Sequence, residues 1–404
     1  MKNNIVSNRR LKMQGLKKRL SLGSAQKIEL PSVAKHELDY PLLIAIICIC
    51  AFGIVMLFSA SYYYAEQYLG DGLHYVRNQL GYLIVGIGIM IGISHIPYTT
   101  YSKPLVYWGL YFFLLVILGA VLVVGSTLQG ATRWLNLGFI SIQPSEFAKF
   151  ILAILLAALM TKYKQKVKTF GGLILLGLLI AVPAVLIYFQ PNLSMLIIVL
   201  FNFIILALVG GCDWKQVLGC CIVGGAAMII YLKTGDNYQS QRFALMNMSW
   251  EELQKLSGDE AFQIVQSLYA FANGGPFGQG FDASRQKLLF LPYRESDYIL
   301  PIIAEELGFV GVLLLMLAYL YIIHRGLKIA RNCPERFGSL LAVGMTIALA
   351  VQVLINAAVV SNFFPATGQT LPFISSGGTS LLAFMMAMGV LLNISRYTEK
   401  NKVK

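Results

Sequence analysis

The chain has 404 residues, 57% of them hydrophobic and only 13% charged, with a mean hydropathy of +0.68 and a formal net charge of +13. Soluble domains carry about 25% charged residues, so a water-soluble globule is excluded. Apolar runs recur from Pro41 to Ile394, and each is long enough to cross a ~30 Å hydrocarbon core as a helix.

Residues 1–40 are basic and polar without an early apolar core, so they read as a retained cytoplasmic tail rather than a cleaved signal peptide. Ten spans are predicted near 41–59, 80–95, 104–125, 146–161, 170–188, 193–209, 214–232, 298–323, 337–360 and 379–394. The expected fold class is an all-α polytopic membrane protein. Helices 1–7 fill 41–232, a large external loop spans 233–297, helices 8–10 fill 298–394, and a second cytoplasmic tail covers 395–404. With the N-terminus inside, 23 of the 32 Lys and Arg residues fall on the inner side and eight on the outer, with Lys149 alone inside a span. That is the positive-inside bias, so both termini are expected in the cytoplasm of a multi-pass protein of the cytoplasmic (inner) membrane. Because the positive charge is spread over every inner segment, attraction to anionic lipid explains it better than nucleic-acid binding, and no nucleic-acid partner is expected.

Ionisable residues inside spans are costly and therefore candidates for function. Glu146 and Lys149 sit three apart near the outer end of the fourth span, after Gln143-Pro144-Ser145, where Ser145 could cap the helix. They either neutralise each other or leave Lys149 facing a cavity as an anion ligand. Arg133 lies just upstream, in Gly130-Ala131-Thr132-Arg133-Trp134. Glu305 and Glu306 lie about two turns inside the eighth span. Adjacent helical positions cannot face one direction, so at least one should point into the bundle. Asp297 opens that same span, where a helix-dipole role and a chemical role both remain open. The loop carries six basic and eight acidic residues, interleaved with Trp250, Tyr269 and the run Phe262 to Phe271, and should fold onto the membrane. Its stretch Asn273-Gly274-Gly275-Pro276-Phe277-Gly278-Gln279-Gly280 lacks the Gly-Lys-Ser/Thr ending of a P-loop and reads as a bent interfacial turn. Ser375-Ser376-Gly377-Gly378-Thr379-Ser380 reads as a re-entrant segment at an outer helix mouth.

The six cysteines lie in or beside apolar spans and make no disulfide framework. His36, His74, His95 and His324 are scattered, with no zinc-ligand spacing. There is no Gly-x-Ser-x-Gly turn either. Carboxylate chemistry on the outer side is what remains.

Taken in order, Gly130 to Trp134, Gln143 to Lys149, Gln263 through Gln286-Lys287 with Gly278-Gln279-Gly280, Leu291-Pro292 to Asp297 to Ala304-Glu305-Glu306-Leu307-Gly308, and Pro365-x-Thr367-Gly368-x-Thr370-Leu371-Pro372-Phe373-Ile374-Ser375 with Gly377-Gly378 resemble the signature of the SEDS family, the FtsW, RodA and SpoVE group. The resemblance covers nearly the whole chain. It implies ten helices with a large outer loop, and a peptidoglycan glycosyltransferase that polymerises lipid II, undecaprenyl-pyrophosphoryl disaccharide-pentapeptide, beside a class B penicillin-binding protein. It implies Asp297 as the essential acid. Arg133, Lys149, Glu146 and Glu306 match polar positions of the family's cavity, and Gln286, Lys287, Ser375, Gly377 and Gly378 are the matched residues carried as substrate-binding candidates. Two departures stand out. Gln190-Pro191-Asn192-Leu193-Ser194-Met195 has Asn192 where the family usually has Asp, and Ser376 replaces a common Tyr. Both point to a divergent paralogue, as in sporulation.

Polymerisation asks for a base, for which Asp297 is the candidate. It also asks for positive charge on the leaving pyrophosphate, for which Arg133 and Lys149 are candidates, with Arg242 or a divalent cation (Mg2+ or Mn2+). No cofactor is firmly implied. Two rival readings are a flippase for lipid II and a scaffold that only recruits the penicillin-binding protein.

Overall fold

The structure, a computed structural model, describes residues 37–398 except 129–130, 137, 139–140, 235–237, 247, 249, 257 and 367. The basic tail expected over 1–40 lies outside the described residues except for its last four, and so does the end of the second tail from 399.

A helix covers every one of the ten expected spans: α1 (Tyr40–Leu69), α2 (His74–His95), α3 (Pro104–Val124), α4 (Ser145–Lys162), α6 (Phe170–Phe189), α7 (Leu193–Val209), α8 (Trp214–Thr234), α12 (Ile299–Asn332), α13 (Arg336–Val360) and α14 (Gly378–Ser395). The short α5 (Lys164–Val167) links α4 to α6. Helices α9 (Tyr238–Met246), α10 (Trp250–Lys255) and α11 (Asp259–Gly274) build the loop before α12. Among the described residues seven helices are by themselves long and apolar enough to cross a membrane. The others are α7, apolar but only 17 residues long, α8, and α4, whose Glu146, Lys149 and Lys162 dilute its hydropathy. The chain is a helical, multi-pass membrane protein.

Helix ends follow local chemistry. Asp39 caps α1 by accepting from the Leu42 amide at 3.0 Å, with Pro41 in the first turn, and Gly70 closes the helix in the left-handed conformation. Helix α1 runs ten residues beyond the expected 59 and α12 nine beyond 323. Hydropathy stops where side chains turn polar, but the backbone has no reason to. At that far end of α12, Arg325 pairs with Asp39 at 2.6 Å.

Helices α13 and α14 form the centre. In their most apolar stretches 72% and 83% of residues are buried, against 22–44% for the other five long spans, whose remaining faces are left for lipid. Helix α14 packs on α2, and α13 packs on α12, α4 and α7. Small residues permit close approach, as where Gly344 of α13 meets Ala153 of α4.

Between α3 and α4 the chain forms a three-stranded antiparallel sheet, β1 (Ser126–Leu128), β2 (Ala131–Asn136) and β3 (Ser141–Ile142), in that order. Hydropathy gives no sign of it. Its strands are too short for a periodic pattern, and it forms outside the apolar runs. In the loop, Ile264 and Val265 of α11 pack with Leu253, Leu245, Met248, Leu268 and Tyr269 into a small apolar core.

Helix α12 breaks at Gly308 (φ 69°, ψ −172°). The break frees carbonyls that an unbroken helix would satisfy, and the glycine-rich stretch supplies their donors. The amides of Gln279 and Gly280 donate to Glu305 O (2.9 Å) and Glu306 O (3.0 Å), while the amides of Phe309 and Val310 donate to Gly275 O (2.8 Å) and Pro276 O (3.1 Å). Gly278 and Gly308 make this possible. A Cβ on Gly308 would stand 2.3 Å from the Gly278 nitrogen, and one on Gly278 would stand 2.1 Å from Glu306 O.

Candidate active site

Asp297 lies in the turn before α12, which starts at Ile299 with Tyr298 as its cap residue, so the acid precedes the helix rather than opening it. The main chain of this turn is held by the buried non-helical segment between α13 and α14 and by Asn356 of α13. The Ser376 amide donates to Glu295 O at 2.8 Å, the Ser375 hydroxyl donates to Ser296 O at 2.5 Å, and Asn356 Nδ2 donates to Asp297 O at 2.9 Å. Ser375 Oγ in turn accepts from the Leu371 amide at 2.8 Å. From α2, Gln79 donates to Ser375 O at 3.0 Å and accepts from the Gly377 amide at 3.4 Å. Gly378 backs onto the Tyr82 ring.

The Asp297 carboxyl faces Gly368, whose φ is +38° and where a Cβ would stand 3.2 Å from Asp297 Oδ2 and 3.7 Å from Arg133 Nη1. Arg133, on β2, also donates from Nε to Gln190 O at 3.1 Å and from its terminal nitrogen to Pro191 O. Arg242, on α9, donates to Ala366 O at 2.7 Å. Both guanidiniums act on Asp297. Burial pushes its carboxyl from an ordinary value of 3.8 up to about 6, Arg133 and Arg242 pull against that rise, and Glu295 and Glu146 add to it. Three sequence candidates, Asp297, Arg133 and Arg242, are thus brought together from three separate segments. Two cations beside one acid favour an anionic ligand over a bare metal ion. Among the described residues no group of three or more His, Cys, Asp or Glu side chains could hold one.

Glu146 and Lys149 lie in the first turns of α4. Lys149 Nζ meets Glu146 Oε2 at 2.6 Å and Gln352 Oε1 at 2.5 Å, with Phe384 beneath it at 4.3 Å. Lys149 is 0% exposed and Glu146 3%. Gln352 passes the connection to Thr370 O at 3.0 Å, so the pair is tied to the segment that flanks Asp297. Ser145 does not cap α4. Its hydroxyl accepts from Asn192 Nδ2 at 3.2 Å, because Pro144 occupies the cap position. Asn192 instead caps α7 by accepting from the Met195 amide at 3.2 Å.

A second buried polar cluster forms where α1, the loop and α12 meet. Lys287 Nζ lies 3.1 Å from Glu306 Oε1 and 3.0 Å from Ser59 Oγ, and also reaches Asp282. Ser59 donates to Glu306 at 2.6 Å. Glu305 turns the other way. It accepts from the Gln286 amide at 3.1 Å, from Asn273 Nδ2 at 3.3 Å and from the Ser284 hydroxyl. Both glutamates are therefore inside, on different faces. The structure places Gln286, Lys287 and Glu306 in this joint, whereas Asp297 belongs with β2, α9 and the segment after α13.

Sequence reading missed Gln79, Gln352, Asn356 and Gly368. Three of these are uncharged amides within apolar helices, and weighing buried amides as hydrogen-bonding groups between helices would have flagged them.

The cell cycle protein family of FtsW, RodA and SpoVE has a family model that matches residues 40–400. Stage V sporulation protein E of Bacillus subtilis is 34% identical over 369 residues, covering 90% of this chain and 98% of that protein. The probable peptidoglycan glycosyltransferase FtsW of Trichlorobacter lovleyi is 33% identical over 372 residues, covering 89% and 93%. A solved chain from work on the structural coordination of polymerization and crosslinking by a peptidoglycan synthase complex superposes with a TM-score of 0.74 at 26% identity, covering 90% of this chain and 99% of its own. With a match that runs from residue 40 to residue 400, this chain belongs to the cell cycle protein family of FtsW, RodA and SpoVE.

Proposed function

We propose that this chain acts as a peptidoglycan glycosyltransferase on lipid II at the outer face of the cytoplasmic membrane. Relatives at about a third identity over nearly their whole length carry that activity in their names. The observation that carries the residue-level reading is an acid whose carboxyl shares the Gly368 backbone with Arg133 and feels the charges of both Arg133 and Arg242.

In this reading Asp297, as carboxylate, takes the proton from the C4 hydroxyl of one disaccharide while that oxygen bonds to the anomeric carbon of another. The bond from that carbon to the phosphate oxygen breaks with its electron pair, and undecaprenyl pyrophosphate leaves. An α-linked donor becomes a β-linked polymer. Arg133 and Arg242 receive the negative charge of the leaving group. A divalent cation, should one be needed, would arrive on the pyrophosphate, and no step is assigned to it. Lys149 enters as the cation that neutralises Glu146 inside the bundle. The polyprenyl tails stay in the bilayer while the sugars meet outside, which gives proximity without extracting the substrate. In this reading both termini are cytoplasmic, as the inner excess of Lys and Arg favours, Asp297 works on the outer side, and a class B penicillin-binding protein crosslinks the product.

The test supplies labelled lipid II to the purified protein with its penicillin-binding partner. A ladder of glycan strands that disappears in Asp297→Asn supports the assignment. Near-normal ladders from that variant reject Asp297 as the base, and the lack of any ladder from the wild-type protein favours a flippase or a scaffold.

A further inference from the structure

Asn356 belongs to α13, is 1% exposed, and carries no charge. It nonetheless sits where two remote segments cross. Its amide nitrogen has two hydrogens, and each finds one main-chain carbonyl: Asp297 O at 2.9 Å and Gln369 O at 2.7 Å. The nitrogen is thereby satisfied, whereas Asn356 Oδ1 is buried without a hydrogen-bond partner among the described residues. A buried unpaired oxygen is costly, so the site's value lies in the two bonds that the nitrogen makes. The segment held on the far side of this clip begins with Gly368, whose backbone lies against the Asp297 carboxyl.

We infer that Asn356 is a positioning residue for Asp297, clipping the acid-bearing turn to the Gly368–Gln369 backbone so that the carboxyl is set at a fixed distance from that backbone and from Arg133. The inference rests on Asp297 being the base. The groups that face the carboxyl are Arg133 from β2, Arg242 from α9, Glu295 from its own turn and Glu146 from α4. Without the clip the turn can swing outward, water reaches the carboxyl, and the burial that raises its pKa is relaxed. The proton acceptor becomes weaker and misaligned together. A displacement of about 1 Å at a reacting group costs on the order of 100-fold in rate.

The experiment measures lipid II polymerisation by the full-length protein with its partner, from pH 4.5 to 8.5, for wild type, Asn356→Leu, Asn356→Gln, Gly368→Ala and Asp297→Asn. Leucine matches asparagine in size but donates nothing. Asn356→Leu is expected to lower kcat by about 10–100-fold, to leave KM within roughly threefold, and to move the acid limb toward lower pH. Asn356→Gln, which keeps the amide, is expected to recover part of kcat. A purely structural role would scale activity with the amount of folded protein and leave the limb in place, and that result overturns the inference. If Asn356→Leu does not fold, Gly368→Ala decides alone, since a methyl at that positive φ shifts the very Gly368–Gln369 backbone that the clip sets against the carboxyl. A moved limb supports the inference, and a wild-type profile overturns it. Activity in Asp297→Asn would instead remove the reading of Asp297 itself. Loss there with wild-type behaviour at 356 and 368 removes only the positioning role.

Discussion

Lys149 Nζ lies 2.6 Å from Glu146 Oε2, three residues away on the same face of α4, and neither side chain reaches the surface. A buried charge without its partner is far more costly than a buried pair, typically by about 3–5 kcal/mol. Lys149→Ala is therefore expected to lower the apparent melting temperature in detergent and the yield of monodisperse protein. Adding Glu146→Ala should recover most of that loss. A double variant no more stable than Lys149→Ala would show that the lysine does something other than neutralise Glu146.

The pH dependence of polymerisation should follow Asp297. A base works ionised, so the rate rises with pH through a midpoint near 6. Arg133 favours the ionised form, and removing its charge lets the carboxyl hold its proton to higher pH. Arg133→Gln should shift the acid limb upward while also lowering the plateau by about 10-fold or more, as expected for loss of a charged group that stabilises a leaving anion. Initial rates across a pH series check both effects.

Asp297→Asn should be inactive yet more resistant to heat. A carboxyl raised from 3.8 to about 6 on folding favours the protonated native state. The stability this contributes is fully present below pH 3.8 and is lost as pH rises through about 6. The neutral variant avoids that loss. Its apparent melting temperature should match wild type near pH 4, separate between pH 4 and 6, and stay a few degrees higher above that, taking roughly 2–4 °C per kcal/mol. Equal melting curves at pH 8 would contradict the burial of the acid.

Gly308→Ala and Gly278→Ala should each cost at least about 2 kcal/mol, since a side chain at positive φ is strained by about 1–2 kcal/mol before any collision. The collision here is with backbone, which cannot rotate away. Thermal unfolding and protease sensitivity of the segment 275–285 would report the loss.

Asn192→Asp, which restores the residue usual in the family, should be tolerated within about 1 kcal/mol, because aspartate caps a helix as well as asparagine does. The Ser145 hydroxyl can rotate to donate where it now accepts. Melting temperature and polymerisation rate measured side by side test this.

Apolar runs announced the helices, because twenty uncharged residues leave a chain in lipid few alternatives. They could not announce where α1 and α12 end, since both continue into polar sequence. Asp297, Arg133 and the Glu146–Lys149 pair were visible as charges out of place and through the motifs that contain them. Their assembly was not, because Arg133 stands on a hairpin too short for any periodicity, and Arg242 on a nine-residue helix. Gln286, Lys287 and Glu306 were legible as a set but not as a joint between α1, the loop and α12. That requires knowing that Ser59, 228 positions away from Lys287, stands between them.

The stitching of Gln279 and Gly280 onto Glu305 and Glu306 closes a ring of chain from 280 to 306. Asp297 and Lys287 both lie inside that ring, and its two anchor points are main-chain bonds that Gly278 and Gly308 permit. Its circumference is therefore fixed: a residue inserted between 281 and 298 has to be absorbed by the turn that bears the acid. An insertion upstream of α11 changes the perimeter of the loop before α12 and leaves the ring untouched.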